Sequence, residues 1–153
     1  ARAEQFVDEL SKVYRYLLRA GRQATAVLED ELTFAESYVF LLKSRFGSGS
    51  FSWTKSGLNT AELQQFFLPV LSLQHALDFF VRTQNAPLHM RVETKQHQLI
   101  ISCEDRRKKI AVDVPALDWQ HLKRHGAEQK SRAGRFEMYI PLVVNAIDLP
   151  SIP

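Results

Sequence analysis

The sequence predicts an α+β two-layer sandwich, a mostly antiparallel mixed sheet with helices on one face, preceded by further helices. Two N-terminal stretches carry apolar residues at helical spacing, and a later stretch alternates apolar and polar residues as a hairpin does. The order helix, strand, helix, hairpin, helix, strand then places helices against one sheet. With 153 residues and 45% hydrophobic composition the chain buries one core, and a second independent domain is not expected.

In chain order, Phe6, Leu10, Val13 and Leu17 follow a four-three-four spacing that puts them on one helical seam, and Gly21 supplies a C-terminal stop. After a short 21–25 connection, Leu28, Leu32, Ala35, Val39, Leu42 and Phe46 repeat the arrangement. Glu29, Asp30 and Glu31 open this second helix and Lys43 and Arg45 close it, as the helix dipole favours. Gly47-Ser48-Gly49-Ser50 is a flexible break, dividing a helical lead, 1–46, from a mixed domain, 47–153. Phe51–Lys55 alternates as a half-buried strand, and Ser56-Gly57-Leu58-Asn59 turns the chain.

The segment 69–84 is the organising helix. Pro69 suits a first helical position, where its missing N–H would be unpaired anyway. Leu73, Leu77, Phe80 and Val81 give it one buried face, with Asp78 and Arg82 a turn apart on another. Leu88, Met90 and Val92 then alternate with His89, Arg91 and Glu93, and a polar turn at 95–98 returns the chain into Leu99-Ile100-Ile101-Ser102-Cys103. Residues 110–114 read as a short strand, 118–125 as a helix, 136–140 as the last strand, and 143–153 as a tail on the body.

The net charge of +3 and pI of about 9.1 are too mild to imply nucleic acid. A lone Cys103 excludes an internal disulfide framework and suits a reducing compartment. The longest apolar run, 66–73, is interrupted and far short of the roughly 20 residues that span a bilayer. The opening Ala1-Arg2-Ala3 lacks an initiator methionine and any signal-peptide pattern, the expectation for a piece of something longer.

The string Pro69-x-x-x-Leu73-Gln74 resembles the N-box helix of LytS-like sensor histidine kinases. Leu10-Ser11-x-x-x-Arg15-Tyr16-x-Leu18 resembles their second dimerisation helix, and Leu28-x-x-Glu31-Leu32 through Tyr38 to Arg45-Phe46 the helix after it. The resemblance covers nearly the whole chain. It implies the Bergerat fold of the GHKL ATPases, a homodimer through the helical lead, and a response regulator or other signalling protein as partner. It also implies a cytoplasmic setting, any inner-membrane anchor of the parent lying outside this stretch. The family's phosphoacceptor histidine lies upstream of the matched pattern.

The motifs for nucleotide chemistry depart from the family at each step. Asp78 stands at the N-box glutamate position, but Phe79 replaces the magnesium-binding asparagine, and a phenyl ring offers no hard oxygen ligand. Asp105 is in register with the adenine-reading aspartate, whereas Arg107 and Lys109 replace both glycines that let backbone approach the nucleotide. No glycine occurs between Gly57 and Gly126, so the phosphate-covering lid is missing. Phosphoryl transfer depends on positioning and charge neutralisation, and these changes remove most of both. Asp78 is then read as an exposed aspartate paired with Arg82, Asp105 as a turn acid or a residual adenine contact, and Arg106, Arg107, Lys108 and Lys109 as a solvated basic turn.

The favoured expectation is a degenerate signalling module with no cofactor, working through protein contacts and dimerisation. One alternative is an active kinase that binds ATP and magnesium through Asp105 and Asp78 in an altered pocket. Another is an adaptor that took a new ligand. His121 and His125, four apart, lack a completing metal-ligand string, and His75 is expected at the surface or a boundary. Cys103 is expected as a packed thiol and Trp53 and Trp119 as anchors in the core or an interface.

Overall fold

A computed structural model of the chain describes residues 2–108 and 114–144. Helix α1, Arg2–Ala20, leads through the short strand β1, Thr25–Val27, into α2, Leu28–Phe46. After a 3₁₀ turn come β2, Phe51–Lys55, then α3, Thr60–Gln65, β3, Phe67–Pro69, and α4, Ser72–Thr83. The hairpin β4, Leu88–Lys95, and β5, Gln98–Glu104, is followed by α5, Val114–Arg124, and by β6, Glu128–Arg132, and β7, Arg135–Pro141. The main sheet runs β2-β4-β5-β7-β6, with β2 parallel to β4 and every other pair antiparallel. The predicted α+β class and mixed sheet are therefore observed. Of the strand expected over 110–114 and the tail expected over 143–153, residues 110–113 and 145–153 lie outside the described residues; Val114 opens α5 and Val143 bridges to Phe67.

The hairpin forms as its alternation predicts. Leu88, Met90 and Val92 are buried, while His89 and Arg91 face solvent. Gln96 and His97 take φ of 51° and 58°, the left-handed pair that a two-residue turn needs to match strand twist. The sequence reading missed β6, whose five residues are all exposed and carry no apolar alternation.

The organising helix starts later than predicted. Pro69 ends β3, which pairs antiparallel with β1 in the register Thr25↔Pro69 and Val27↔Phe67. Leu71 then adopts a left-handed φ of 66° and the helix begins at Ser72. Tertiary pairing decides this, because a proline at a strand end gives up no ladder donor it could supply. The predicted 21–25 connection accordingly contains the start of β1. Leu73, Leu77 and Phe80 are fully buried, as their spacing requires.

The main core joins α2 to the sheet, with Leu28, Leu32, Ala35, Val39 and Leu42 packed among Leu68, Leu77, Met90, Val92 and Ile101. Phe46, expected on the α2 seam, is 44% exposed. The predicted α1 seam holds at Leu10, Val13 and Leu17 but not at Phe6. Val13, Tyr16 and Ala20 pack on Phe34 in a second cluster, and Phe6, Val7, Tyr14 and Leu18 remain exposed. Cys103 is buried as expected, and burial pushes its thiol up to about 12.

Candidate functional site

The candidate site is built on α4 and the segment that follows β5. At the N-terminal end of α4 the first amides of the helix have no intrahelical acceptor. Glu31, fully buried on α2, supplies one from outside the helix. Its carboxylate accepts from the Leu71 N–H at 3.1 Å, the Leu73 N–H at 3.2 Å and the Tyr16 hydroxyl of α1. Burial pushes the Glu31 carboxyl up, while the bonds from Tyr16 and the 71–73 backbone pull the other way. Burial and the neighbouring Glu31 charge raise the Tyr16 phenol as well.

Midway along α4, Asp78 is half-buried and accepts from the Tyr38 hydroxyl at 2.5 Å. This corrects the expectation of a solvent-exposed aspartate. Tyr38 stacks on Phe34 with ring centroids 5.6 Å apart, and burial followed by the bond to Asp78 raises its phenol. Arg82 is exposed one turn on.

Phe79 occupies the position where the resemblance implies a metal ligand, and it is 7% exposed. Its ring lies 6.0 Å from Trp119 of α5 and 6.0 Å from Phe136 of β7, centroid to centroid, and Phe80 meets Phe136 at 5.4 Å. These rings interlock α4, α5 and β7 in an apolar cluster.

At the C-terminal end of α4 the chain after β5 folds back and is stitched down. Gln84 and Arg107 form a β-bridge, the Asn85 N–H donates to the Arg106 carbonyl at 2.8 Å, and the Lys108 N–H donates to the Thr83 carbonyl at 2.8 Å. Lys108 Nζ donates to the Val81 carbonyl at 3.1 Å, a cation at the negative end of the helix. Asp105 is taken up by Arg107, whose Nε lies 3.1 Å from Oδ1. The Arg107 guanidinium also donates to Ser131 Oγ and lies 5.0 Å over the Phe136 ring. Lys109 lies outside the described residues.

The space left over is a cavity of about 180 Å³, lined by Phe79, Thr83, Gln84, Arg107, Lys108, Gln129 and Phe136. Asp105 is not among its lining residues. Its volume is below the roughly 300–1,000 Å³ of pockets for drug-sized ligands. Gln84 and Lys108 also line a second hollow of about 130 Å³ against Phe46, Phe51 and Leu88.

The structure thus brings Asp105, Arg107 and Lys108 to the end of α4, and places Asp78 with Tyr38 rather than with them. Elsewhere His75 stacks on His121 at 4.0 Å and His121 meets His125 at 5.3 Å, a grouping invisible in sequence because it spans α4 and α5. Among the described residues no group of three or more potential ligands has the arrangement to hold a metal ion.

Sequence analysis missed the roles of Glu31 and Gln84. Glu31 carried a signal, since it stands three residues after Leu28 and four before Ala35, on the buried face of α2. Gln84 carried none beyond its place just past the helix.

Residues 1–50 match the model of the family described as histidine kinase. In sequence, no curated protein matches the chain. In structure, the histidine kinase domain of the Erythrobacter litoralis EL346 blue-light activated histidine kinase superposes with a TM-score of 0.52. It is 15% identical, and the match covers 90% of this chain and 78% of that one. The Acinetobacter baumannii histidine kinase AdeS gives 0.47 at 14% identity, over 88% of this chain and 76% of that one. No described helix is long and apolar enough to cross a membrane. The helical lead thus matches the histidine kinase family model, and the fold of the chain is that of a histidine kinase domain.

Proposed function

We propose that this module is a degenerate, LytS-like member of the family that signals through protein contacts and dimerisation and transfers no phosphate. The observation that carries the reading is Phe79. Its ring packs with Trp119 and Phe136 where the resemblance calls for an oxygen ligand to magnesium, and the adjoining cavity is about 180 Å³. Asp105 is engaged with Arg107, and Asp78 with Tyr38, so neither carboxylate faces the cavity. The exposed apolar residues Phe6, Val7, Tyr14 and Leu18 on α1 support a homodimer through the helical lead. A response regulator or another signalling protein is the partner class that fits such a module, in a cytoplasmic setting.

Titration calorimetry with ATP, with and without magnesium, tests the catalytic part of the reading. No heat is expected in either arm, and micromolar, metal-dependent binding overturns it. Light scattering tests the dimer: a concentration-dependent dimer is expected, reduced to monomer by Leu18→Asp, and a monomer at all concentrations refutes it.

A further inference from the structure

The turn that leads into α4 holds a backbone conformation that its residue does not favour. Leu71 has φ 66° and ψ 15°, in the left-handed region, where a residue with a Cβ is disfavoured about tenfold. The other described non-glycine residues with positive φ are Gln96, His97 and Ala133, in the tight turns of the β4–β5 and β6–β7 hairpins, whose twist calls for it. Leu71 lies between a strand and a helix, so hairpin twist does not account for it. Strain of this kind persists only where the surroundings over-determine it. Here the Val70 N–H donates to the Ala24 carbonyl at 3.1 Å, Ser72 Oγ to the Pro69 carbonyl at 2.5 Å, and the Leu71 N–H to the buried Glu31 carboxylate at 3.1 Å. The Leu71 carbonyl in turn accepts from the His75 N–H at 3.1 Å, so a change at Leu71 is passed into the helix.

We propose that the Leu71 turn is a strained switch, held by Tyr16, through which the helical lead controls the first turn of α4. Helix α1 reaches this turn by two routes. Its Tyr16 hydroxyl donates to the same carboxylate that receives the Leu71 and Leu73 amides. Val70 and Leu71 also pack against the cluster of Val13, Tyr16, Ala20 and Phe34, in which Tyr16 stacks on Phe34 at 4.6 Å. With α1 seated, the carboxylate is fixed beneath the turn and Leu71 stays left-handed. When α1 shifts and takes the hydroxyl away, Glu31 loses the donor that orients it, and Leu71 is free to leave a region disfavoured about tenfold. The Leu71 and Leu73 amides then lose their acceptor, and the first turn of α4 opens. The strain offsets part of what the bonds to Glu31 contribute, so a modest displacement of α1 suffices to shift the balance. A partner that draws α1 aside thereby acts on the helix of Asp78 and Phe79 without touching it. The device goes beyond the reading of a contact-signalling module and does not depend on it, since it requires neither a nucleotide nor a dimer.

The test reads the whole chain by ¹³Cα and ¹³Cβ shifts, which report backbone conformation at Leu71, and by amide hydrogen exchange at Leu71 and Leu73. Tyr16→Phe keeps the ring on Phe34 and removes only the hydroxyl. It is expected to speed exchange at both amides at least about tenfold, through an opening that dilute urea does not enhance. The shifts of residues 71–75 should move away from the left-handed signature while those of β5 stay in place. Adding Leu71→Gly, which suits a left-handed φ, should return the 72–75 shifts to their original positions and slow exchange about tenfold. Adding Leu71→Ala loses the same side chain but keeps the Cβ, and should restore nothing. The inference is overturned if Tyr16→Phe leaves 71–75 unchanged, if exchange there follows global unfolding alone, or if Leu71→Ala restores as well as Leu71→Gly. Should Tyr16→Phe fail to fold, the two Leu71 variants in the otherwise unaltered chain decide. Glycine must then protect the Leu73 amide about tenfold better than alanine, and equal or reversed protection overturns the inference.

Discussion

The two ends of α4 solve the same problem in opposite ways. At the N-terminal end one buried carboxylate, Glu31, accepts from the Leu71 and Leu73 amides and from Tyr16, tying α1, α2 and α4 at one point. At the C-terminal end a folded-back segment supplies backbone bonds and one lysine, and Gln84 Nε2 has no partner among the described residues. The first end is closed and structural, so its loss should register as instability. The second is held in part by an exposed lysine, whose loss should have little effect on folding.

The largest effect that would break this contrast comes from Glu31→Ala. It strands two backbone amides and a phenol in the interior, for an expected loss of about 4 kcal/mol in urea unfolding. Glu31→Gln keeps an acceptor of nearly the same size and should lose far less. If the two variants were equally unstable, the charge and not the capping geometry would be at issue. Next, Phe79→Ala removes a ring packed against Trp119 and Phe136 and should cost about 3 kcal/mol by the same measurement, without creating ATP binding.

A pH series sharpens the comparison further. The Glu31 carboxyl is held above its ordinary range in the folded chain, mainly by burial, so the fold binds that proton more tightly than the unfolded chain does. Stability is then highest below the ordinary carboxylate pKa and falls as pH rises through that value to the folded one, levelling off above it. Urea midpoints measured upward from about pH 4 should show this decline, and Glu31→Gln should flatten it. The smallest effect belongs to the other end. Lys108→Ala gives up one exposed helix-end contact, worth about 0.5 kcal/mol, so its melting temperature should barely move.

How much of this was legible in sequence varies with the range of the interaction that decides it. The hairpin and the buried face of α4 were readable, because Leu88, Met90, Val92 and Leu73, Leu77, Phe80 state their periods locally. The start of α4 was not, since Pro69 is claimed by pairing with Thr25, more than forty positions earlier. The α1 seam was right at Leu10, Val13 and Leu17, and its additions were hidden for a similar reason. Tyr16 is drawn inward by the stack on Phe34 and the bond to Glu31, and Phe6 is left outside. Within the site, Phe79 and Arg107 were legible only as departures from the pattern that the resemblance implies. The pairing of Asp78 with Tyr38 needed the fold, because no spacing rule links residues on separate helices.

The ribbon of Thr25–Val27 and Phe67–Pro69 has a practical consequence for anyone trimming this chain. Cutting at Gly47, the natural-looking joint, would discard the strand that pairs with Leu68 and strip Leu28, Leu32, Ala35 and Val39 from the main core. What survived would be a fragment with a naked hydrophobic flank and a severed strand edge, prone to clump instead of fold. The smallest autonomous piece therefore has to begin ahead of Thr25.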